Sequence, residues 1–219
     1  MKKVLALALA IAMLLGCFSV ATAEEGKTIN LFYGGGTPLS IDPALNSASS
    51  GSNVIKLAFA GLMGWQYVDG TPTLSPELAE SYTVSDDKLV YTFTLREGLK
   101  WSDGSDFKAS EVVSSWNRAA SIDLGADYGF LYSYVDGYNE GKGPLNVVAD
   151  DEARTVTVTL ANPTSYFLEL CAFPTFYPVK AELADNEGAW ATKPETYIGT
   201  GAFRMTKYAV DDVISFEKN

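Results

Sequence analysis

Carboxylates have the greatest capacity for chemistry in this chain, because the sequence contains no histidine. Adjacent acids occur at Asp86-Asp87, Asp150-Asp151 and Asp211-Asp212, and paired carboxylates can hydrolyse glycosidic bonds by acid–base catalysis. Without histidine, a serine or cysteine nucleophile lacks its usual base, and zinc sites of the usual composition are excluded. Each acidic pair lies between two strand-like segments, where aspartate commonly stabilises turns. The pairs therefore favour solvated turns, and we predict no catalytic residue.

Two short motifs have a weak likeness to ion-binding loops. Asp103-Gly104-Ser105-Asp106 lacks the further regularly spaced acids that a calcium loop requires. Gly34-Gly35-Gly36-Thr37 lacks the Gly-Lys-Ser/Thr sequence of a phosphate-binding loop. We predict a turn before a helix at the first motif and a sharp bend of the chain at the second, with neither a metal nor a cofactor.

The N-terminus has the features of an export signal. Lys2 and Lys3 precede an apolar stretch at residues 4–15, which is too short for an ordinary membrane anchor, and Ala21-Thr22-Ala23 resembles a cleavage site. The full chain has a net charge of −11, and removal of residues 1–23 leaves 14 Lys and Arg against 27 Asp and Glu, a net charge of −13. A nucleic-acid partner is not expected, because phosphate binding needs clustered basic residues.

The two cysteines have different expected roles. Leu14-Leu15-Gly16-Cys17 resembles a lipobox, in which Cys17 would be acylated and become the mature N-terminus. This mode and soluble cleavage after Ala23 both remain open. Cys171 lies in an apolar stretch and is expected to be a buried, inert thiol. With one cysteine outside the signal, no internal disulfide can form.

The clearest structural pattern is a β-hairpin at residues 82–95. Residues 82–84 form a short predicted strand, residues 85–88 a polar turn, and residues 89–95 a strand that alternates in character. A second turn at residues 102–104 precedes a helix at residues 109–118. In the longer strand, one side carries Leu89, Tyr91, Phe93 and Leu95.

The remaining patterns indicate a mixed α/β (α+β) chain. The short segment at residues 165–171 is compatible with a helix or a buried strand. We predict strands at residues 28–33, 145–149 and 155–160, helices at 53–62 and 181–191, a turn at 69–72, and a final hairpin formed by 201–208 and 213–217.

Several motifs carry a likeness to a known family. Leu95-Arg96 at the end of the hairpin and the following Lys100-Trp101-Ser102-Asp103-Gly104 resemble the signature of the family 5 extracellular solute-binding proteins of ABC importers. Ile41-Asp42-Pro43, Ser115-Trp116-Asn117-Arg118 and Gly199-Thr200-Gly201 are similar to motifs of the oligopeptide-binding branch of that family. The resemblance extends through essentially the whole chain after the signal.

The resemblance implies a fold of the periplasmic-binding-protein type II kind. Residues 24–59 and 181–219 are expected to form a discontinuous and incomplete lobe I, with a smaller α+β domain at residues 60–180 inserted between them. Family members run to well over twice this length. We therefore expect the second lobe to be absent and the chain to be the N-terminal portion of a longer protein.

The resemblance also implies a function and candidate site residues. We expect an exported, monomeric, non-enzymatic binding protein that captures oligopeptides and delivers them to an ABC permease. Alternatives are an oligosaccharide binder, since four Trp and 12 Tyr offer stacking faces, or a secreted carboxylate-dependent hydrolase. The family often has an acidic residue where Ser47 stands. By position, the residues beside the peptide are Asn46, Ser47, Ala48 and Ser49, with Tyr128 as an aromatic contact.

Overall fold

The computed structural model describes residues 29–30, 37–185 and 187–219. The predicted export segment at residues 1–23, which includes Cys17, and the glycines at 34–36 lie outside these residues. Most of the predicted first strand at residues 28–33 also lies outside them. All the elements described below belong to the unit Gly34–Asn219.

The described chain alternates short helices with antiparallel hairpins. Its helices are α1 (Ser49–Ala58), α2 (Ala109–Ala120) and α3 (Phe167–Leu170), and 3-10 turns occur at Gly129–Tyr134, Pro174–Phe176 and Ala189–Thr192. The strands are β1 (Met63–Val68), β2 (Thr71–Pro76), β3 (Ala79–Val84), β4 (Val90–Leu95), β5 (Val147–Asp150), β6 (Thr155–Thr159), β7 (Phe203–Ala209) and β8 (Val213–Lys218).

A four-stranded antiparallel sheet with the order β3-β4-β6-β5 forms the centre of the structure. The predicted alternation in β4 is confirmed: Tyr91, Phe93 and Leu95 are buried, and the residues between them are half-buried. Val156 and Val158 on the paired strand β6 are also buried. This pattern arises because successive side chains of a strand point to opposite faces, so one face of the sheet lies against the core.

Helix α2 packs against strands β5 and β6 of this sheet, and its Trp116 is completely buried. The indole Nε1 of Trp116 donates a hydrogen bond of 2.9 Å to the Phe176 carbonyl oxygen. Its ring contacts Phe167 and Phe176 edge to face, with centroid distances of 6.4 and 5.2 Å. The predicted helix at residues 109–118 is thus confirmed and extends by one half turn to Ala120.

The buried side chains form two separate hydrophobic clusters. The larger cluster surrounds the central sheet and α2 and, apart from Ala44, draws its buried residues from positions 60–176. The smaller cluster comes from residues 41–59 at one end of the chain and 177–205 at the other. Chain segments that are distant in sequence therefore close the smaller core together.

The predicted helix at residues 53–62 forms in a shifted position, as α1 at Ser49–Ala58. The helix ends at Ala58 because residues much later in the chain form hydrogen bonds at its last turn. The Gly201 N–H donates to the Ala58 carbonyl oxygen at 2.7 Å, and the Ala60 N–H donates to Thr200 Oγ1 at 3.2 Å. Phe59 accordingly adopts an extended conformation, with φ of −125° and ψ of 154°.

The predicted helix at residues 181–191 was wrong. A carboxylate-stabilised turn interrupts this segment, since Asp185 Oδ1 accepts hydrogen bonds from the Glu187 and Gly188 N–H groups at 2.9 and 2.7 Å. Gly188 then takes a left-handed conformation, with φ of 72°, which glycine adopts without the steric cost of a side chain. A 3-10 turn, Ala189–Thr192, is the regular element that follows.

The predicted turn at residues 69–72 is tighter than expected. It joins β1 and β2 through Asp69 and Gly70, with φ values of 50° and 78°, as a two-residue hairpin connection requires. Thr71 and Pro72 already belong to β2. The predicted strands at residues 145–149 and 155–160, the final hairpin and a short helix within residues 165–171 are all present.

Replacement of Gly199 by Ala is expected to destabilise the fold. A Cβ atom at position 199 would lie 1.9 Å from the Ala58 carbonyl oxygen, so two backbone segments would have to separate. We expect a loss of about 2–3 kcal/mol in the free energy of unfolding, measured by chemical denaturation. Gly143→Ala is the matched control, because its Cβ would make only ordinary contacts, the nearest at 3.7 Å. Equal denaturation midpoints for the two variants would contradict the steric argument.

Candidate ligand-binding site

A buried ion pair fixes the loop that carries most of the predicted ligand contacts. Asp42 is completely buried, and its carboxylate accepts hydrogen bonds from Arg118 Nη2 at 2.7 Å and Nη1 at 3.3 Å. The same carboxylate accepts bonds from Trp190 Nε1 at 3.1 Å and from the Ala44 N–H at 2.9 Å. Two bonds from one arginine, together with further donors, satisfy the hydrogen-bonding capacity of a buried carboxylate. The Ile41-Asp42-Pro43 motif is thereby joined to α2 and to the 3-10 turn Ala189–Thr192.

The Ser-Trp-Asn-Arg motif at the end of α2 positions Arg118 to bond with Asp42. Ser115 Oγ accepts a hydrogen bond of 2.9 Å from the Val179 N–H. Asn117 Oδ1 accepts one of 2.8 Å from the Leu145 N–H, and Trp116 is held by Phe176 as described above. The motif therefore contacts three segments, at Asp42, at Leu145 and at residues 176–179, and the helix end has one fixed position.

The loop after Asp42 turns sharply and buries the Asn46 side chain. The Asp42 carbonyl oxygen accepts bonds from the Leu45 and Asn46 N–H groups at 3.1 and 2.9 Å. Asn46 is buried, and its Oδ1 accepts the Ala48 N–H at 3.3 Å. The Asn46 side chain thus stabilises the loop from inside.

Of the predicted contacts in this loop, Ser47 and Ser49 are exposed and Ala48 is half-buried. The N–H and C=O groups of Ser47 make no hydrogen bond with any other described residue. This exposed peptide unit is therefore open to pairing with an extended ligand backbone.

Tyr128, the predicted aromatic contact, stands in a short row of aromatic rings. Its ring lies edge to face with Phe173 at a centroid distance of 5.2 Å, and tilted against Phe130 at 6.3 Å. Tyr128 is half-buried and Phe130 is exposed. Within residues 37–185 and 187–219, no hydrogen bond or ring contact joins Tyr128 to the loop at residues 46–49. Sequence reasoning missed Phe130 and Phe173. The many aromatic residues at positions 128–138 were a signal for Phe130 alone.

The Trp-Ser-Asp-Gly motif forms a turn that joins two distant segments. The Ser102 N–H donates to the Gly199 carbonyl oxygen at 2.9 Å. Asp103 Oδ1 accepts the Ser105 N–H at 3.0 Å, and its Oδ2 pairs with Lys180 Nζ at 2.5 Å. The predicted turn before a helix is confirmed. No group of three potential metal ligands occurs in the described part of the chain.

The acidic pairs stabilise turns and the N-terminal end of a helix. Asp87 Oδ1 accepts the Leu89 N–H at 3.1 Å, and Asp150 Oδ1 accepts the Glu152 N–H at 3.0 Å. Asp151 has a role that the sequence did not reveal, since its carboxylate accepts the Ser110 N–H at 2.8 Å and so caps α2 from the β5–β6 turn. Asp211 Oδ1 accepts the Thr37 hydroxyl at 2.9 Å.

Comparison with known proteins decides the family. Residues 73–219 match the family model described as bacterial extracellular solute-binding proteins, family 5 Middle. The chain belongs to this family. Its architecture of mixed sheets and helices is accordingly that of a type II periplasmic binding protein.

The relatives of this family 5 chain include peptide-binding proteins. The oligopeptide-binding protein OppA of Bacillus subtilis is 35% identical over 83% of this chain and 34% of its own length. The dipeptide-binding protein DppE of the same organism is 36% identical over 66% of this chain and 27% of its own length. A solved structure, Listeria monocytogenes OppA bound to peptide, matches with a TM-score of 0.76 and 31% identity, over 84% of this chain and 37% of that chain. The chain therefore spans between 27% and 37% of the length of these relatives.

No helix among the described residues is long and apolar enough to cross a membrane.

Substitution of Asp42 by Asn is expected to be strongly destabilising. Arg118, whose side chain is 11% exposed, would keep its charge in a buried position without a carboxylate partner. We expect a loss of about 3–5 kcal/mol in the free energy of unfolding, measured by urea denaturation. Glu217→Gln is the matched control, because it breaks the pair with Arg204, in which both side chains are about half exposed, and should cost less than about 1 kcal/mol. Similar losses in both variants would refute a special role for the buried pair.

The stabilisation that Asp103 provides is expected to disappear in acid. Burial raises the pKa of the Asp103 carboxyl, but hydrogen bonds from Lys180 and Ser105 and the charge of Lys180 outweigh this effect and lower the pKa from 3.8 to about 2. Because the folded pKa lies below the unfolded one, the contribution is complete above pH 3.8 and is lost as the pH falls through about 2.

The matching measurement compares the free energy of unfolding of the original chain and Asp103→Asn at several pH values. We expect a difference of about 1 kcal/mol at pH 7 that shrinks below pH 4. A difference that stays constant between pH 7 and pH 2 would show that the carboxylate charge does not contribute.

Proposed function

We propose that this chain is part of the extracytoplasmic substrate-binding component of an ABC importer, and that this component binds oligopeptides. One observation carries the proposal: the fold matches Listeria monocytogenes OppA bound to peptide over 84% of this chain with a TM-score of 0.76. The OppA protein of Bacillus subtilis, named as an oligopeptide-binding protein, is similar over nearly the same share of the chain.

The loop at residues 46–49 supports binding of an extended backbone. Its position is set by the buried Asp42–Arg118 pair, while the peptide unit of Ser47 remains open to solvent. Main-chain groups recognise peptides of varied sequence, because every residue of the ligand offers the same N–H and C=O groups. In this proposal, Asn46 holds the loop, Ser47, Ala48 and Ser49 line the peptide, and Tyr128 supplies an aromatic wall.

We also propose the domain division given by the family resemblance, with residues 24–59 and 181–219 in one lobe and residues 60–180 inserted. The two hydrophobic clusters support it, since one cluster is built mainly from residues 60–176 and the other from the flanking segments. Tyr177 and Val179 pack with the flanking segments, so the structure favours a second boundary a few residues earlier.

The remaining features of the proposal concern the cellular context. We propose an exported, monomeric, non-enzymatic protein that delivers its ligand to a membrane permease. The turn and capping roles of the acidic pairs support a binding role over hydrolysis. Cys17 is proposed as an alternative anchoring point through acylation. Metabolic labelling with a radioactive fatty acid distinguishes this mode from soluble cleavage, because only an acylated Cys17 retains the label and Cys17→Ser loses it.

Peptide binding is tested by calorimetric titration of the longer protein to which this chain is proposed to belong, with a pool of tri- to pentapeptides and, separately, with an oligosaccharide pool. We expect heat of binding with peptides only. Tyr128→Leu should weaken peptide binding about tenfold, because an edge-to-face aromatic wall of this kind contributes about 1 kcal/mol or more.

Tyr67→Leu is the matched control, since Tyr67 is 79% exposed on β1, and it should bind as the original chain does. Binding of oligosaccharides without peptides would overturn the proposal in favour of a sugar carrier. Turnover of either pool would overturn the non-enzymatic role.

A further inference from the structure

Two tyrosine rings meet where the 3-10 turn Gly129–Tyr134 contacts the start of α3. Tyr134 ends the turn, and Tyr166 is the residue directly before α3. Their rings lie edge to face, with centroids 5.4 Å apart and an angle of 87° between the ring planes. No other contact between two tyrosine rings occurs within residues 37–185 and 187–219. Neither residue belongs to the candidate ligand-binding site.

The backbone beside each tyrosine holds the two rings together. The Tyr134 carbonyl oxygen accepts a hydrogen bond of 3.0 Å from the Ala161 N–H, and the next residue, Val135, is buried. Tyr166 is followed by Phe167, whose side chain is also buried. The closeness of the two rings is therefore a property of the fold. Such an arrangement makes a reaction between two groups effectively unimolecular.

The hydroxyl groups of the pair are neighbours, and one ring is open to solvent. The Tyr134 hydroxyl raises the pKa of the Tyr166 hydroxyl, first through hydrogen bonding, with burial and charge as smaller causes. Tyr166 is 41% exposed, and Tyr134 is half-buried. A dissolved oxidant can therefore reach Tyr166. Because the ortho carbons adjoin the carbon that carries the hydroxyl, neighbouring hydroxyl groups also bring the ortho carbons of the two rings near each other.

We propose that Tyr134 and Tyr166 are a site of oxidative cross-linking, at which a one-electron oxidant of the peroxidase type joins the two rings as dityrosine. Each phenol gives up one electron and one proton and becomes a phenoxyl radical. The two radicals form a carbon–carbon bond between ortho positions, and the two ortho hydrogens move to the oxygens as the rings regain aromaticity. One hydrogen peroxide takes up the two electrons and two protons and is reduced to two waters.

The cross-link serves as a covalent staple in a chain that has a single cysteine after residue 23. It joins the 3-10 turn Gly129–Tyr134 to the start of α3 and closes a loop that contains β5 and β6. A closed loop restricts the unfolded chain more than the folded one, so the fold is stabilised. This effect is independent of whether the chain binds peptide.

The test treats the chain in dilute solution with hydrogen peroxide and a haem peroxidase, and then digests it with trypsin. Because trypsin cleaves after Lys and Arg, the two tyrosines fall in separate peptides, 119–142 and 155–180. We expect these peptides to be linked and to be lighter than their sum by two hydrogen atoms. Fragmentation in the mass spectrometer should place the link at Tyr134 and Tyr166, and dityrosine fluorescence measures the yield.

Phenylalanine variants identify the reacting pair, and they are expected to fold because phenylalanine keeps the ring and removes only the hydroxyl group. Tyr134→Phe and Tyr166→Phe should each lower the dityrosine yield at least about tenfold, because the remaining tyrosine loses its fixed partner. Tyr138→Phe is the matched control, since it removes another half-buried tyrosine from the same tryptic peptide, and it should leave the yield unchanged. In urea, the oxidised original chain should have a higher unfolding midpoint than oxidised Tyr166→Phe.

Other results contradict the proposal at different steps. A covalent dimer as the main product would show that tyrosines react between chains. Equal losses of yield in Tyr138→Phe and Tyr134→Phe would place the link elsewhere. No dityrosine under conditions that couple free N-acetyltyrosine would show that the two rings cannot join. Equal urea midpoints for the oxidised original chain and oxidised Tyr166→Phe would overturn the stabilising role of the link.

Discussion

The Asp42–Arg118 ion pair is the interaction on which the arrangement of this structure depends. A carboxylate and a guanidinium that are removed from water lose several kcal/mol of hydration each, and good geometry together with further donors to the carboxylate offsets this loss. Here the Asp42 carboxylate receives two bonds from Arg118, one from Trp190 and one from the Ala44 N–H. Such a carboxylate cannot move without leaving several donors unpaired. The loop, the helix end and the 3-10 turn are therefore set relative to one another at a single point.

The motifs singled out in the sequence join chain segments that are distant from one another. Ser102 bonds Gly199, and Gly201 bonds Ala58, so the Trp-Ser-Asp-Gly and Gly-Thr-Gly motifs meet at the end of α1. Glycine is required at position 199 by the closeness of the backbone of Ala58, and no side chain fits there. In this chain the two motifs build the scaffold. The groups proposed to contact ligand, such as the peptide unit of Ser47, depend on that scaffold for their position.

The sequence predicted the elements whose cause is local. The alternation of Tyr91, Phe93 and Leu95 specified β4, because burial on one face of a strand has a period of two residues. It did not predict the end of α1, because the partners that decide it, Thr200 and Gly201, are remote in sequence. It also missed the turn at Asp185, although the Asp185 carboxylate stabilises that turn locally. The candidate loop at residues 46–49 was predicted from its position in the sequence. The inward orientation of Asn46 and the ring contacts of Tyr128 were not predicted, because they depend on tertiary packing.

The split composition of the smaller cluster has a consequence for the order in which the chain folds. Asp42 and Trp190 are 148 residues apart, and Tyr197 bonds the Ile41 carbonyl across 156 residues. Contacts of such long range form late, because a large loop must close before any of them stabilises the chain. The larger cluster needs little outside residues 60–176 and is able to condense first. During synthesis, the loop proposed to hold peptide therefore remains unformed at least until Trp190 and Tyr197 have been made. For a chain proposed to be exported, this delay keeps one core open and compatible with passage in an unfolded state.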